Sequence, residues 1–235
     1  MRAALALLLG ALGGCSADFP SLYIQQNQVP GTGCVVSTSG TTFLSEGVLD
    51  TNNDPSGALN LGYVFTPLII NAIAADSSNP TLHIAFLTGA DVEIRPGRSA
   101  RSAELVAALA AQGLTKHTAL FSATVKPGGS VALVFHLTDL ETTAAIRQFL
   151  GAGELVQTVA HIVIDGTVDG RSVSSYPFDY PLSFCVGCLV ADVGLCAALP
   201  TGFAGSEGGA CNRLQDNLLQ CCDNFKVCPA KPPAM

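Results

Sequence analysis

Nine cysteines are the residues of this chain whose spacing bears most directly on chemistry. Cys185-Val186-Gly187-Cys188 is a C-x-x-C motif, which can act as a redox-active dithiol, as half of a zinc site or as a structural disulfide. A redox-active dithiol needs a helix N-terminus just after its first cysteine, whereas this motif ends a proline-containing strand pattern. Cys196 and Cys211 match no standard zinc-ribbon spacing as further ligands. A structural disulfide is therefore the favoured interpretation, with zinc and redox chemistry as the alternatives.

The first cysteine, Cys15, ends an apolar N-terminal run. Residues 3–12 are apolar or small, and this run is too short to span a bilayer, which needs ~20 apolar residues. Its length is typical of a secretory signal, whose apolar region has ~7–15 residues. Leu12-Gly13-Gly14-Cys15 resembles the lipobox of bacterial lipoproteins. The resemblance implies that the Cys15 thiol is lipidated with diacylglycerol and that the chain is then cleaved before Cys15. It also implies that the new amine is acylated, for example with palmitate.

Such a lipid would hold the protein on a membrane, because one acyl chain binds reversibly whereas two chains bind stably. Residue 16 is Ser, whereas an Asp at this place retains many Gram-negative lipoproteins in the inner membrane. The resemblance thus implies export and an outer-membrane lipoprotein, with the membrane as a partner through the lipid on Cys15. The alternative is an ordinary signal peptide in which Cys15 has no special role.

The eight cysteines after Cys15 form an even set, which in an exported chain indicates disulfides. Eight cysteines allow 105 pairings, and the sequence does not choose among them. We expect four disulfides and no metal, with Cys34 bridged to the C-terminal cluster because it is isolated from the other seven. The predicted disulfide cysteines are Cys34, Cys185, Cys188, Cys196, Cys211, Cys221, Cys222 and Cys228.

Oxygen-bearing side chains alternate at Asp50, Asn52 and Asp54, as at the start of a calcium loop. An EF-hand loop requires Gly at its sixth position and Glu at its twelfth. This chain has Pro55 and Leu61 there. A polar loop is the favoured interpretation, and a calcium site is the alternative.

Motifs for catalysis and cofactor binding are missing from the sequence. It contains no HExxH, GxSxG, GxGxxG or phosphate-binding P-loop pattern. We therefore predict no catalytic residue and no cofactor, and the enzyme alternative requires a site assembled from distant residues. The four histidines lie in or beside predicted strands: His83, His117, His136 and His161.

The charge composition limits the classes of partner. The net charge is −7, and only 12% of the residues are charged. An acidic surface of this kind does not provide the basic patch that nucleic acid or anionic lipid requires. We therefore expect no nucleic acid partner.

Alternating apolar and polar residues predict strands through the middle of the chain. Phe86, Val92 and Ile94 fall on one face of a strand with a bulge expected at Gly89. A hairpin is predicted across residues 155–184, with Asp169-Gly170 as a type I′ turn. Beyond this turn Tyr176, Phe178, Tyr180, Leu182 and Phe184 share one face, and the prolines between them favour an edge or irregular strand.

Two short helices are predicted within this β-rich pattern. One covers residues 102–112 and ends at Gly113, and the other covers residues 141–149 after Asp139 as a possible N-cap. The Cys-rich stretch 211–225 also has apolar residues at helical spacing, which predicts a third short helix.

Short strands separated by Gly and Pro turns favour a mainly β fold, an immunoglobulin-like β-sandwich with one or two short helices. The Cys-rich C-terminal segment is expected to be cross-linked by disulfides. The predicted organisation is a signal peptide over residues 1–14, a lipidated tether over 15–21, the sandwich over 22–184, the Cys-rich segment over 185–228 and a disordered tail over 229–235.

A further resemblance, to a group of predicted lipoproteins, rests on three segments: Gly47–Asp50, Tyr63–Asn71 and Phe178–Cys188. Residues 22–190 resemble β-rich, Cys-rich and uncharacterised predicted lipoproteins of Gram-negative bacteria, which share these strand motifs and a Cys-rich tail. The resemblance implies an architecture and no activity.

The sequence therefore predicts a lipid-anchored protein of the cell envelope that acts as a non-catalytic binding, adhesion or assembly module. Its partner would be an envelope protein or a surface ligand. One alternative is an envelope enzyme, either a hydrolase or a thiol oxidoreductase that uses Cys185 and Cys188. The other alternative is an inert structural component of the envelope.

Overall fold

The computed structural model describes residues 21–52, 61–79, 81–201, 203, 205–224, 226 and 228. In this part of the chain the fold is mainly β, with several sheets and two α-helices, as the sequence predicts. Residues 1–20, which contain the predicted signal and Cys15, and the predicted tail lie outside the described residues.

The larger sheet has six strands. Its strands are β3 (Gly47–Asp50), β6 (Ala85–Pro96), β7 (Lys116–Val125), β10 (Leu155–Val168), β11 (Arg171–Ser174) and β12 (Phe178–Cys185). Their order is β3-β12-β10-β6-β7, with β11 paired to β10, and all pairs are antiparallel except that of β3 with β12.

The smaller sheet has four antiparallel strands, which lie in the order β2 (Phe43–Leu44), β1 (Leu22–Gln28), β5 (Pro67–Asn71) and β8 (Ser130–Ala132). Two short strand pairs are separate from it: β4 (Val64–Phe65) with β9 (Phe135–His136), and β13 (Val190–Asp192) with β14 (Leu219–Cys221).

One hydrophobic core joins the two larger sheets. Leu22 and Ile69 of the smaller sheet and Ala160 and Ile162 of the larger sheet belong to the same buried cluster and are all fully buried. The alternation of buried and exposed residues along β6 and β10 places one face of the larger sheet on this core. The other face is open to solvent, as expected for an antiparallel sheet.

The predicted bulge at Gly89 is present, because the pairing of β6 with β7 shifts register between Leu87 and Gly89. The shift changes which residues face the core. Leu87 is buried and Phe86 is 52% exposed, so the predicted core position of Phe86 is wrong. A bulge adds one residue to a strand, and the side chains before it therefore change faces relative to those after it.

The hairpin turn lies where the sequence predicts it. Asp169 and Gly170 both have positive φ, 51° and 76°, between β10 and β11. A type I′ turn requires positive φ at both central positions, which Asp and Gly tolerate.

Both predicted helices form: α1 (Ala100–Ala111) and α2 (Leu140–Phe149). Asp139 is the N-cap of α2, and its carboxylate accepts a hydrogen bond from the Thr142 N–H. The helices pack on each other, and α1 packs on β6 and β10. No helix among the described residues is long and apolar enough to cross a membrane.

Strand β12 lies between β10 and β3, so its predicted place at an edge is wrong. Tyr180 and Phe184 of the predicted aromatic row are fully buried, whereas Tyr176 is 44% exposed. Pro181 fits inside the sheet because β3 pairs with β12 only from Leu182 onward. Pro181 therefore has a paired strand on one side only, which is the edge-like setting in which proline is tolerated.

The predicted helix over 211–225 does not form. The segment instead contains strand β14, which pairs in parallel with β13. Asp216, Asp223 and Asn224 have positive φ values, which are incompatible with continuation of an α-helix. Leu214, Leu219 and Cys221 pack in a small second cluster.

Candidate functional site

All eight cysteines in the described part of the chain are paired in disulfides. Cys221 and Cys222 are adjacent and bind different partners, one earlier in the Cys-rich segment and one at its C-terminal end. The pairs are Cys34–Cys211, Cys185–Cys188, Cys196–Cys222 and Cys221–Cys228.

The long-range disulfide joins the N-terminal and C-terminal parts of the fold. Cys34 follows β1 and bonds Cys211, 177 residues away, within the segment where the sequence places its partner. Closing so long a loop removes more conformational freedom from the unfolded chain than closing a short one.

The C-x-x-C motif closes on itself at the end of β12. Cys185 is fully buried. The fully buried Asp50 carboxylate lies beside both sulfurs and accepts hydrogen bonds from the backbone N–H groups of Gly187 and Leu189. These N–H groups therefore point at the carboxylate rather than at a sulfur, and the motif lacks the electropositive, partly exposed surroundings of a reactive thiolate. The motif is therefore a turn that the two hydrogen bonds to the Asp50 carboxylate hold in place.

Two clusters have the residue types of a metal site. Asp50 with Cys185 and Cys188, and Asp223 with Cys196 and Cys222, each place their ligand atoms within 4.8 Å of one another. The four cysteines are in disulfides, and zinc requires thiolates. In the oxidised protein neither cluster offers a tetrahedral sulfur site.

Asp50 and Asn52 of the predicted calcium loop are among the described residues. The Asp50 carboxylate also accepts a hydrogen bond from the Asn52 N–H and is directed toward the C-x-x-C turn. Asp54 lies outside the described residues, so the calcium loop stays a prediction. Cys15 also lies outside them, and its lipidation stays a prediction.

A buried polar network connects the sandwich to the Cys-rich segment. The hydroxyls of Tyr63 and Tyr180 lie 2.8 Å apart, and the Asn27 side chain donates to Tyr180 across 2.9 Å. The Tyr63 hydroxyl donates to Asp216, which also accepts hydrogen bonds from the Gln215 side chain and the backbone N–H of residue 48. Each side chain of the network thus has hydrogen-bond partners within the protein.

Burial dominates the electrostatics of this network. Desolvation, followed by the Asp216 charge, raises the pKa of Tyr63 far above its usual value. Desolvation also raises the pKa of Asp216, against three hydrogen bonds that lower it. The tyrosines are therefore neutral donors and acceptors, and Asp216 titrates above the usual range of an aspartate.

The same segment covers one edge of the larger sheet. Asp50 N–H donates to the Leu214 carbonyl, and Asp216 N–H donates to the Val48 carbonyl. Leu49 and Gln215 form an isolated antiparallel bridge. The backbone of residues 214–216 thus occupies the side of β3 that β12 leaves free.

The histidines do not form a catalytic arrangement with a nucleophile. His161 Nδ1 lies 2.6 Å from Asp179, and His83 Nδ1 lies 2.5 Å from Asp169. His117 Nε2 lies 3.1 Å from a backbone carbonyl. Within the described ranges none of these rings is hydrogen-bonded to a Ser, Thr or Cys side chain.

A groove of about 370 Å³ lies on the solvent face of the larger sheet, beside His161. In its lining Glu93 forms an ion pair with Lys116 at 3.0 Å, and Glu93 also pairs at 2.6 Å with Arg95, which lies outside the lining. Asp91 accepts a hydrogen bond from Thr118. Asp91, Glu93 and Lys116 of this groove are therefore all engaged by neighbouring side chains.

A second groove, of about 460 Å³, separates β7 from β9 and the start of α2. We call it the β7 groove. Its rim exposes four aliphatic side chains by 44–83%, the largest fraction being that of Leu120. The lining residues are Leu61, His117, Ala119, Leu120, Val134, Phe135, His136, Asp139 and Leu140.

The β7 groove has one side chain held in its ionised form. Burial alone would raise the pKa of Asp139, but the hydrogen bond from the Thr142 N–H holds it below its usual value. Burial, together with the nearby His117, lowers the pKa of His136. At neutral pH the groove thus combines a carboxylate, a neutral imidazole and an apolar rim.

The sequence contains no local signal for the β7 groove or for the network around Asp216. Leu120 lies in β7 and Val134 directly precedes β9, and no local pattern shows that these two segments meet at one side of the sandwich. Tyr63, Asn27 and Asp216 are likewise far apart in the chain.

Comparison with known proteins finds no match to this chain among family models, curated proteins or solved structures.

Proposed function

We propose that this chain is an exported lipoprotein, anchored in the outer membrane through a lipid on Cys15, that acts as a non-catalytic binding or assembly module. The observation that carries the proposal is the pairing of cysteines. Nine are present, and the eight in the described residues are joined in four disulfides. Cys15 is the one that remains.

The disulfides support export of the chain to an oxidising compartment. Structural disulfides persist in oxidising compartments and are rare in the cytosol. An odd cysteine in such a protein needs an explanation, and the Leu12-Gly13-Gly14-Cys15 pattern provides one through lipidation. A diacylglycerol on Cys15 would supply the two chains that stable anchoring requires.

The described surface supports binding rather than catalysis. Asp50 is committed to the C-x-x-C turn, and Cys185 is buried, which disfavours the thiol oxidoreductase alternative. His161 and His83 are paired to carboxylates without a nucleophile. The β7 groove, in contrast, exposes large apolar side chains around a concave surface, which is typical of interaction sites.

The test of the anchor is the variant Cys15→Ala, expressed in a Gram-negative host with radiolabelled palmitate. We expect no incorporation of label, and we expect the variant to leave the detergent phase on partitioning. The control variant Ser16→Ala keeps Cys15 and should retain both properties. Equal labelling of Cys15→Ala and the unmodified sequence would refute the proposal.

A further inference from the structure

The exposed edges of the two sheets differ greatly in length. The β3 edge is covered by residues 214–216, and β2 and β8, at the ends of the smaller sheet, have two and three residues. Strand β7 has ten residues, and in the described part of the chain no strand pairs with it on the side away from β6. It therefore presents the longest row of backbone N–H and C=O groups free to pair with an added strand.

The β7 groove lies along the regular part of this edge. His117, Ala119 and Leu120 belong to both β7 and the groove lining, and they precede the register shift opposite Leu87 and Gly89. Leu120 is 83% exposed and Val134 is 46% exposed. Hydrogen-bonding groups and an apolar surface thus lie side by side.

This combination fits an extended peptide. A strand added to an edge gains main-chain hydrogen bonds, while alternate side chains enter the adjoining surface. A compact small molecule would use the apolar rim and leave the free backbone groups of β7 without partners.

The charge of the chain favours a different polypeptide over a second copy. Each copy carries a net charge of −7. Asp139 lies in the groove, and Glu141 follows it in the first turn of α2. Two copies would repel each other, whereas a peptide with basic residues would be attracted.

We infer that β7 binds, by strand addition, an extended segment of another polypeptide that carries apolar residues at alternate positions and a net positive charge. This inference rests on the proposed role as a binding module, and it names the class of partner and the surface. It does not depend on Cys15, because no groove residue belongs to the signal region.

The test uses the full chain in detergent solution, so that it can be made with or without a lipid on Cys15. A phage-displayed library of random twelve-residue peptides is the probe. We expect selected peptides with alternating apolar residues and a positive charge. Synthetic copies of them should bind at least about tenfold more weakly when alternate peptide nitrogens are methylated, because strand pairing then loses its donors.

Variants of the chain locate the binding site. Leu120→Asp should weaken peptide binding by at least about tenfold. Leu195→Asp is the matched control, because Leu195 is also an exposed leucine, at 66%, and lies outside the groove. The Leu195→Asp variant should bind the selected peptides as tightly as the unmodified chain does. Thermal melting should show that both variants are folded.

Several results would overturn the inference. They are a selection without binders, binders that are insensitive to Leu120→Asp, and binders that tolerate backbone methylation. A dimer of the full chain that Leu120→Asp dissociates would assign the groove to a second copy instead. A chain that incorporates palmitate but binds no peptide would contradict this inference and not the lipid-anchor proposal. A chain that binds peptide at the β7 groove but incorporates no palmitate would contradict only the lipid-anchor proposal.

Discussion

The Tyr63 hydroxyl donates a hydrogen bond to Asp216 Oδ2 across 3.0 Å, although 153 residues separate them in the sequence. Tyr63 is fully buried in the sandwich core, and Asp216 belongs to the Cys-rich segment. The bond therefore links the sandwich to the Cys-rich segment inside the core. Disulfide Cys34–Cys211 links them a second time.

Tyr180→Phe tests this network through its second tyrosine. The change removes the hydroxyl that Tyr63 and Asn27 contact and leaves their polar groups less satisfied in the core. We expect a loss of about 1–3 kcal/mol in the free energy of unfolding, measured by urea denaturation. Tyr176→Phe removes a hydroxyl from an exposed tyrosine and should change stability by less than about 0.5 kcal/mol. Equal losses in the two variants would contradict the network.

Stability should depend on pH through Asp216. Burial raises the pKa of this carboxyl above its usual 3.8, so the folded protein holds the proton more tightly than the unfolded chain. The favourable contribution is present in full below the unfolded pKa and is lost as the pH rises through the folded pKa. The stability of the unmodified protein relative to Asp216→Asn should therefore fall as the pH rises from below 4 toward neutrality.

Chemical denaturation of both proteins across this pH range measures the difference. Asp216→Asn also alters hydrogen bonds with Tyr63 and Gln215, which adds an offset that does not depend on pH. Only the slope tests the assignment. A difference in stability that is constant with pH, or that rises with it, would contradict the raised pKa.

The disulfides should contribute unequally to stability. Cys34–Cys211 closes a loop of 177 residues and Cys185–Cys188 closes a loop of 3. In the chain-entropy model these loops correspond to about 5 and about 2 kcal/mol. We therefore expect Cys34→Ala with Cys211→Ala to lower the urea midpoint more than Cys185→Ala with Cys188→Ala does. The opposite order would show that the C-x-x-C turn has a larger role in the folded state than loop closure explains.

Local patterns in the sequence predict those features of the fold that depend on neighbouring residues. The Asp169-Gly170 turn, the bulge at Gly89 and the Asp139 cap each follow from the backbone preferences of a few residues. The alternation along β10 likewise places Ile162 and Ile164 in the core. These signals need no knowledge of the tertiary structure.

Features that depend on long-range contacts could not be predicted in the same way. The helical spacing of Leu214 and Leu218 is overridden by the disulfides of Cys221 and Cys222 and by the pairing of residues 214–216 with β3. The interior position of β12 depends on a parallel contact with β3, more than 100 residues away. The β7 groove depends on the arrangement of both sheets, which no local pattern describes.

If the proposed lipid anchor is present, sorting of the protein between the two membranes should depend on Ser16. The lipobox resemblance implies that Asp at this position retains a lipoprotein in the inner membrane. We therefore expect Ser16→Asp to move the protein from the outer to the inner membrane on sucrose-gradient fractionation, without loss of palmitate labelling. Ser16→Ala is the control and should stay in the outer membrane. Outer-membrane fractionation of Ser16→Asp would contradict the predicted sorting signal.

The most direct test of the central claim is mass spectrometry of the N-terminal peptide of the protein isolated from the cell envelope. The proposal predicts a peptide that begins at Cys15 and carries the masses of a thioether-linked diacylglycerol and an amide-linked acyl chain. A peptide that retains residues before Cys15, or one in which the Cys15 thiol is unmodified, would contradict the lipoprotein assignment.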